Sequence, residues 1–527
     1  MGNELLASKI VIQEEEPALR QVVGAPTAVA GFVGVAERGP IGVATQLTSV
    51  EDYRRVFGGY TGAGELAQAV DGFFLNGGSQ CWVVRTVHYT DVTTPGTKTS
   101  AAATITLQSG GGTPAATLRV DGRWDGTYAN ALSARIVDAT SGEAGRFNLQ
   151  VVQGNVVLEV WPNLSMNDTD PSYVELVIND PDNGSRFLVV TDLDATGDPT
   201  AQRPANGTFA LAGGTDGLTG LADTDFTGAA GATGRTGLRA LDTVAALSLL
   251  AIPGRATSVV HNAMLTYCQV TRAGAVFAVL DPPATSSATA IITHVETTAA
   301  LINLSEFGAI YWPRILVANP TRGVFGNTTL IPVAPSGYVC GVMARNDAAR
   351  EGGVFNAPAG VENGIIFGCL GFEGDDTLDE GKRDLVYPKR INPITTSRGQ
   401  ARYIDGSRTL KGNGNFPSVP ERRGVIFIEQ SLKDALQVAR HRNNDATLRN
   451  EAARTTEVFL ETQMRAGAFR TKDPATAFFV DFGEGLNTPA VIFANKLVGR
   501  IGLATQKPAE FVVLRFSQDT RAFATGT

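Results

Sequence analysis

Leu247-Ser248-Leu249-Leu250-Ala251-Ile252 and Ala275-Val276-Phe277-Ala278-Val279-Leu280 are the two apolar runs that decide the fold of this chain. Each reads as a strand and is followed by a predicted helix, near 256–273 and near 288–305, and a third strand is predicted over 309–317. Nearly continuous apolar strands that alternate with helices are typical of a parallel sheet covered on both faces. The central part of the chain is therefore predicted to be a parallel α/β body.

The chain before this body supplies further strands and helices of the same kind. A short strand around 30–36 ends in a Gly-Pro turn, and Thr48-Ser49 followed by two acids predicts the capped start of a helix. A second helix is predicted from apolar residues at helical spacing, and a strand follows over 81–85. The fold class is therefore α/β and α+β multidomain, and 527 residues suggest roughly three or four domains.

Residues 91–212 change composition to Thr, Ala, Gly, Asp and Val in short alternating runs. The runs at 104–107, 147–152 and 156–160 are predicted strands separated by turn residues. This stretch is interpreted as an inserted all-β domain, because the α/β order remains intact when it is skipped.

A helix predicted over 431–442 carries the clearest candidate binding surface. Its apolar residues form one stripe, and the opposite side and the end of the helix carry Lys433, Gln437, Arg440, His441 and Arg442. Cations in the last turn also suit the helix dipole. The cluster therefore has two open interpretations, a partner-binding surface or simple helix stabilisation.

Two short apolar strands are predicted near the chain ends. One lies at 9–13, set off by an acidic turn and Pro17, and contains Ile10, Val11 and Ile12. The other contains Phe511, Val512, Val513, Leu514 and Phe516, apolar on both faces. An apolar terminal strand is an aggregation hazard unless another strand pairs with it. The strands either exchange between chains or form a frayed arm and an ordinary last strand.

Composition and charge argue against several classes of protein. The formal net charge of −8 gives nucleic acid little general attraction, and no basic stripe compensates. No apolar run reaches the roughly 18 residues of a membrane span, and no signal peptide is recognised at Met1, so cytoplasmic synthesis is expected. The four scattered cysteines are predicted to be buried free thiols.

Motifs for catalysis, cofactors or metal are not found. The expected strand ends, Ile252-Pro253-Gly254-Arg255 and Leu280-Asp281-Pro282-Pro283, lack the glycine patterns that hold phosphate. No G-x-S-x-G sequence marks a nucleophile, and the four histidines are too scattered for a metal site. His261 and His294 are interpreted as packing or interface residues, and the acids at 375–380 as a solvated loop. No catalytic residue, cofactor or metal ligand is predicted.

Several motifs resemble those of contractile tail sheath proteins, in the same order and over nearly the whole chain. They are Phe57-Gly58-Gly59, Ala334-Pro335-Ser336-Gly337, Asn356-Ala357-Pro358-Ala359-Gly360, Gly406-Ser407-Arg408-Thr409-Leu410, Val419-Pro420-Glu421-Arg422-Arg423 and Pro508-Ala509-Glu510 with the strand that follows. Two departures are that the arm lacks the usual Pro-Gly-Val-Tyr start and that Asp405 stands where the family generally has tryptophan.

The resemblance implies a structural sheath subunit rather than an enzyme. Such subunits form a helical homopolymer of stacked rings around an inner tube, contact a baseplate and a tail-terminator or cap protein, and contract from a metastable extended state. They insert into no membrane and bind no nucleic acid. The particle is a phage tail or an injection particle released from the bacterial cell. The implied tube-facing residues are Lys433, Gln437, Arg440, His441 and Arg442.

The resemblance also suggests domain boundaries and leaves two other classes open. The expected parts are an exchange arm at 1–25, a body at 26–90 with 213–390, a peripheral insertion at 91–212, and a tube-proximal α+β C-terminal domain at 391–527 that ends in the exchange strand. The alternatives are an α/β enzyme with a β-sandwich insertion and a static shell protein.

Overall fold

The structure, a computed structural model, describes residues 22–110, 114–193, 198–285, 287–324, 326–349, 352–374, 380–396 and 401–510. The chain divides into two compact units. One, called the body, comprises Pro26–Ala349 and Asn356–Arg423. The other, called the C-terminal unit, has residues 22–25, 352–355 and 424–510 as its described part.

The described strands run through both units. In chain order they are β1 (Ala30–Gly34), β2 (Thr45–Leu47), β3 (Cys81–Arg85), β4 (Thr104–Gln108), β5 (Ala116–Gly122), β6 (Leu132–Asp138), β7 (Phe147–Gln153), β8 (Val156–Leu164), β9 (Leu188–Asp192), β10 (Gly207–Ala210), β11 (Ala230–Gly231), β12 (Gly234–Arg235), β13 (Leu249–Ala251), β14 (Phe277–Leu280), β15 (Gly308–Trp312), β16 (Ile315–Ala318), β17 (Leu330–Val333), β18 (Gly371–Phe372), β19 (Ile391–Thr395), β20 (Tyr403–Ile404), β21 (Phe478–Asp481) and β22 (Arg500–Leu503).

The described helices are mostly short. They are α1 (Val50–Phe57), α2 (Leu66–Leu75), α3 (Val174–Ile178), α4 (Asp223–Thr227), α5 (Ser258–Thr266), α6 (Ala288–Thr293), α7 (Ser336–Asp347), α8 (Gly360–Asn363), α9 (Glu380–Val386), α10 (Val419–Ala435), α11 (Ala446–Arg465), α12 (Pro474–Ala477) and α13 (Pro489–Phe493).

The body is built on a sheet of eight strands in the order β2-β3-β1-β13-β14-β15-β19-β20. The six inner strands are parallel, and the two edge strands β2 and β20 are antiparallel. All residues of β1, β13, β14 and β15 are buried. The parallel sheet expected from the apolar runs is therefore present, because strands this apolar need cover on both faces.

The structure differs from the sequence predictions in three places. The strand predicted over 309–317 is two strands, β15 in the parallel sheet and β16 in a small antiparallel sheet, separated around Pro313, which has no N–H to donate. The helices near 256–273 and 288–305 are shorter: α5 and α6 each continue into one π-helical turn, which ends at Thr271 and Thr298. The bounds predicted for the helix over 431–442 are wrong. It is the last turn of α10 and a 3-10 turn, Leu436–Ala439, after which Arg440 is extended.

Residues between β4 and β10 form two antiparallel sheets, β4-β5-β9 and β10-β6-β7-β8, around a core of their own. They also include the short helix α3. The two chain segments that enter and leave this region lie side by side, because Ala101 and Thr215 exchange both N–H···O=C bonds. The extent of 91–212 as a domain stays a prediction.

The unit boundary differs from the one drawn at 391. β19 pairs with β15 inside the parallel sheet, and the compact units divide at Arg423 instead. Asp405, at the family's tryptophan position, forms a salt bridge to Arg383 with a 2.6 Å contact.

Candidate assembly surface

The C-terminal unit has a small aromatic core that fixes its helices and its hairpin. Phe427 of α10 packs on Phe459 of α11 with ring centres 6.0 Å apart, and Phe469 packs on Phe478 of β21 at the same distance. Leu432 and Leu460 are buried in the same cluster. The apolar side of α10 therefore faces inward, and the opposite side of its last turn, which carries Lys433, is exposed.

The candidate tube-facing residues are all exposed but do not lie on one helix. Lys433 is in α10, Gln437 is in the 3-10 turn, and Arg440, His441 and Arg442 lie in the connection to α11. His441 has a positive φ of 64°, which ends the helical path. We call these five residues the cationic surface. Whether they contact a tube stays a prediction.

The connection is held in place by its neighbours. Arg442 forms a 2.6 Å salt bridge to Glu451, and Asp445 caps α11 by accepting a hydrogen bond from the Leu448 N–H. The Asn444 amide donates to the Lys496 carbonyl at 2.8 Å. The cationic surface therefore adjoins the loop that joins β21 to β22.

That loop displays apolar side chains that the sequence reasoning missed. Asn487 is buried; its amide donates to the carbonyls of Phe482 and Val498, and its oxygen accepts from the Val498 N–H. These bonds close the loop below α13, where Phe493 is 93% exposed. The Asn487-Thr488-Pro489 sequence was the available signal, since it marks a turn before a short helix.

The strands β21 and β22 form a two-stranded hairpin. Within the described part of the chain, each of the two strands pairs only with the other. Phe479 of β21 is about half exposed. A two-stranded sheet is marginal by itself, and its edges are templates for further strands. The strand candidates Ile10, Val11, Ile12, Phe511, Val512, Val513, Leu514 and Phe516 lie outside the described residues.

The four cysteine thiols and the Asp281 carboxylate of the body are buried. All four cysteines are free and buried, and burial raises the pKa of each thiol. Burial raises the pKa of Asp281 to about 7, although its carboxylate accepts hydrogen bonds from the Ser336 N–H and hydroxyl. Thiols with raised pKa values are poor nucleophiles at neutral pH.

Two features are absent from the described residues. No group of three or more His, Cys, Asp and Glu side chains there is arranged to hold a metal ion. No described helix has both the length and the apolar character that crossing a membrane requires.

Comparison with known proteins shows which proteins this chain resembles. Residues 229–410 match the phage tail sheath protein central domain. The tail sheath protein of Vibrio phage KVP40 is 25% identical over 187 residues, which are 35% of this chain and 26% of that protein's length. The central part of the chain is therefore similar to that of phage tail sheath proteins.

Solved sheath structures resemble nearly the whole chain. The anti-feeding prophage helical sheath in its contracted state has a TM-score of 0.57 and 18% identity, covering 98% of this chain and 100% of that one. The sheath complex of an extracellular contractile injection system, also contracted, has a TM-score of 0.54 and the same identity and coverages. The protein has the fold of these sheath subunits, and residues 229–410 match the phage tail sheath central domain, in agreement with the resemblance seen in its sequence.

Proposed function

We propose that this protein is the structural subunit of a contractile sheath. It polymerises with itself as stacked rings around an inner tube and shortens from a metastable extended state. The observation that carries the proposal is the match of its fold, over 98% of the chain, to a complete subunit of a helical sheath. The partners are further copies of the chain, the inner tube, a baseplate and a cap protein, in a phage tail or an injection particle.

The hairpin of the C-terminal unit supports strand exchange between copies. Among the described residues its two strands pair only with each other, and the apolar segment 511–516 needs a partner for the same kind of bonding. Strand addition to an open edge satisfies both. The arm at 9–13 is the second segment proposed to exchange, so that neighbouring copies stay connected when they rotate.

The cationic surface is proposed to contact the tube. Lys433, Arg440 and Arg442 carry formal positive charges on exposed side chains, in a chain whose net charge is −8. An acidic tube wall would attract this surface selectively. Each exposed ion pair is worth about 0 to 1 kcal/mol, so that only repetition over many subunits makes the contact firm.

The proposed stroke uses stored conformational energy and involves no catalysis. Alternative packings of the same subunits differ by about a few kcal/mol, and a wave through the rings sums that difference. An α/β enzyme or a static shell protein would behave differently in solution. An enzyme would bind a nucleotide or hydrolyse an ester, and a shell would close without changing length.

Electron microscopy of the purified protein tests the proposal. We expect the wild type to form tubes, and a variant that lacks 509–527 to remain a folded monomer because its exchange strand is gone. A variant that lacks only 519–527 keeps the apolar segment and is the matched control, which should polymerise. Tubes of normal length from the longer deletion would refute strand exchange, and closed shells from the wild type would refute the sheath function.

A further inference from the structure

A cleft of about 410 Å³ opens in the body where β1 and β13 end. Its walls are the turn before α2, the turn after β13, and the hairpin between β16 and β17. The parallel neighbours of β1 are β3 on one side and β13 on the other. Chain connections therefore diverge at this point, and crevices of this kind are where open α/β sheets bind ligands.

The N-terminus of α2 lies at this cleft. The glycine-rich turn Thr61-Gly62-Ala63-Gly64 precedes the helix, and the first helical bond runs from the Ala69 N–H to the Glu65 carbonyl. Glu65 does not cap the helix with its side chain, because that carboxylate binds Arg314 at 2.5 Å and the Ala334 N–H at 2.6 Å. The positive end of the helix dipole is thus left for an anionic group.

A guanidinium group lies at the same cleft. Arg255 is placed over the ring of Phe226, with its Cζ 4.1 Å from the ring centre. Among the described residues it forms no salt bridge. An arginine whose flat face is already packed keeps its N–H donors for a planar acceptor such as a carboxylate.

Gln68 provides an independent indication of a ligand. It lines the cleft and is only 9% exposed, yet its Oε1 has no hydrogen-bond partner among the described residues. Leaving a buried acceptor unsatisfied costs about 1 to 3 kcal/mol. A ligand with an N–H or O–H group would satisfy it.

From these observations we infer that the cleft binds a carboxylate that is accompanied by a hydrogen-bond donor. The carboxylate meets the N-terminus of α2 and Arg255, and the donor meets Oε1 of Gln68. A doubly charged phosphate fits less well, because Glu65 lines the cleft and Asp281 accepts a hydrogen bond from Gly254 in its wall.

Two sources offer this chemistry. A free hydroxy acid or N-acyl amino acid carries both groups, and so does an aspartate or glutamate residue of a second copy, through its side chain and its backbone N–H. The second source rests on the proposed polymerisation.

Calorimetric titration of unassembled subunits tests the site. The probe is N-acetyl-aspartic acid amide, and its neutral match is N-acetyl-asparagine amide. We expect saturable binding of the acid, weakened at least about ten-fold for the neutral probe and in R255Q and Q68L, as expected from the loss of one hydrogen bond to a charged or buried group. R322Q removes an exposed charge from the same hairpin without touching the cleft and should bind as the wild type does.

Polymerisation then separates the two sources. If the ligand is a residue of a neighbouring copy, the aspartate probe slows tube growth and R255Q and Q68L polymerise poorly. If it is a free acid, binding is seen and tube growth is unchanged. No binding of the acid by the wild type, or equal binding by wild type, R255Q and Q68L, would overturn the inference. Failure of the wild type to polymerise would count against the sheath function alone, since the titration uses no polymer.

Discussion

His261 and His294 meet inside the body as an edge-to-face pair, with ring centres 5.5 Å apart. Burial, and secondly the neighbouring His294, lowers the pKa of His261 to about 3, and burial lowers the pKa of His294 as well. Both rings are therefore neutral in the folded state at neutral pH. Of the two roles expected from the sequence, packing agrees with this burial.

The buried pair predicts a loss of stability in acid. A histidine whose pKa falls on folding contributes stability that is present above its ordinary value near 6.5 and is lost as the pH falls toward the folded value. One such group changes the free energy of unfolding by about 1.4 kcal/mol per pH unit in that window. Urea unfolding between pH 6.5 and 4.5 should thus show a shallower pH dependence for H261L than for the wild type.

Two comparisons make this measurement specific. Asp281 acts in the opposite direction, since its raised pKa removes stability as the pH rises from about 4 toward 7, so only the difference between variant and wild type is informative. H441L removes an exposed histidine and should leave the slope unchanged. Equal slopes for H261L and the wild type would contradict the assignment.

At the scale of elements, α10 decides how the cationic surface is presented. Lys433 projects from the helix, whereas Arg440 lies beyond the 3-10 turn on extended backbone. If this surface holds the tube, K433E/R440E should abolish extended sheaths on the tube while tubes without a core still form. Cosedimentation of sheath with purified tube protein, at low and raised salt, measures the effect, and raised salt should weaken wild-type binding too.

A charge reversal elsewhere on the same unit is the matched control. Arg465 is exposed at the end of α11, where it pairs weakly with Glu461, so R465E adds acid without entering the cationic surface. It should cosediment like the wild type. Normal extended sheaths from K433E/R440E would mean that these side chains are solvated helix charges and that the tube contact lies elsewhere.

The sequence predicted those structural features that depend on residues close together in the chain. Apolar runs predicted β13 and β14, and Ser49 caps α1 as expected, by accepting from the Asp52 N–H. The end of α10 was missed because no glycine or proline marks it. The Phe493 loop depends on Asn487 bonding to Val498, and the cleft unites Gln68 with Arg255. Such contacts are set by tertiary packing, which periodicity does not encode.

At the scale of the whole molecule, the inserted β-rich region is joined to the body through a buried charge. Arg85, in β3, is 1% exposed, and its Nη1 donates to the carbonyls of Gly39 and Asp125 at 3.0 and 2.9 Å. Asp125 belongs to the inserted region. A peripheral position for that region, as the resemblance suggests, does not make it energetically independent.

Replacing 102–214 by a short Gly/Ser linker should therefore destabilise the body, although the linker has little distance to span. Ala101 and Thr215 exchange backbone hydrogen bonds, so the cut ends already lie side by side.

The deletion removes the Asp125 acceptor and leaves the Arg85 guanidinium one hydrogen bond short, at a cost of about 1.5 to 3 kcal/mol. Adding R85M should recover stability in the deletion variant, whereas R85M alone should destabilise the full chain by removing the donor to the carbonyls of Gly39 and Asp125. Thermal unfolding of the wild type, the deletion variant, R85M and the double variant measures whether the effect of R85M on stability changes sign. Electron microscopy of the double variant shows whether tubes still form.

If R85M lowers stability equally in the full chain and in the deletion variant, Arg85 does not couple the two regions. A folded double variant that forms no tubes would show that the inserted region takes part in assembly.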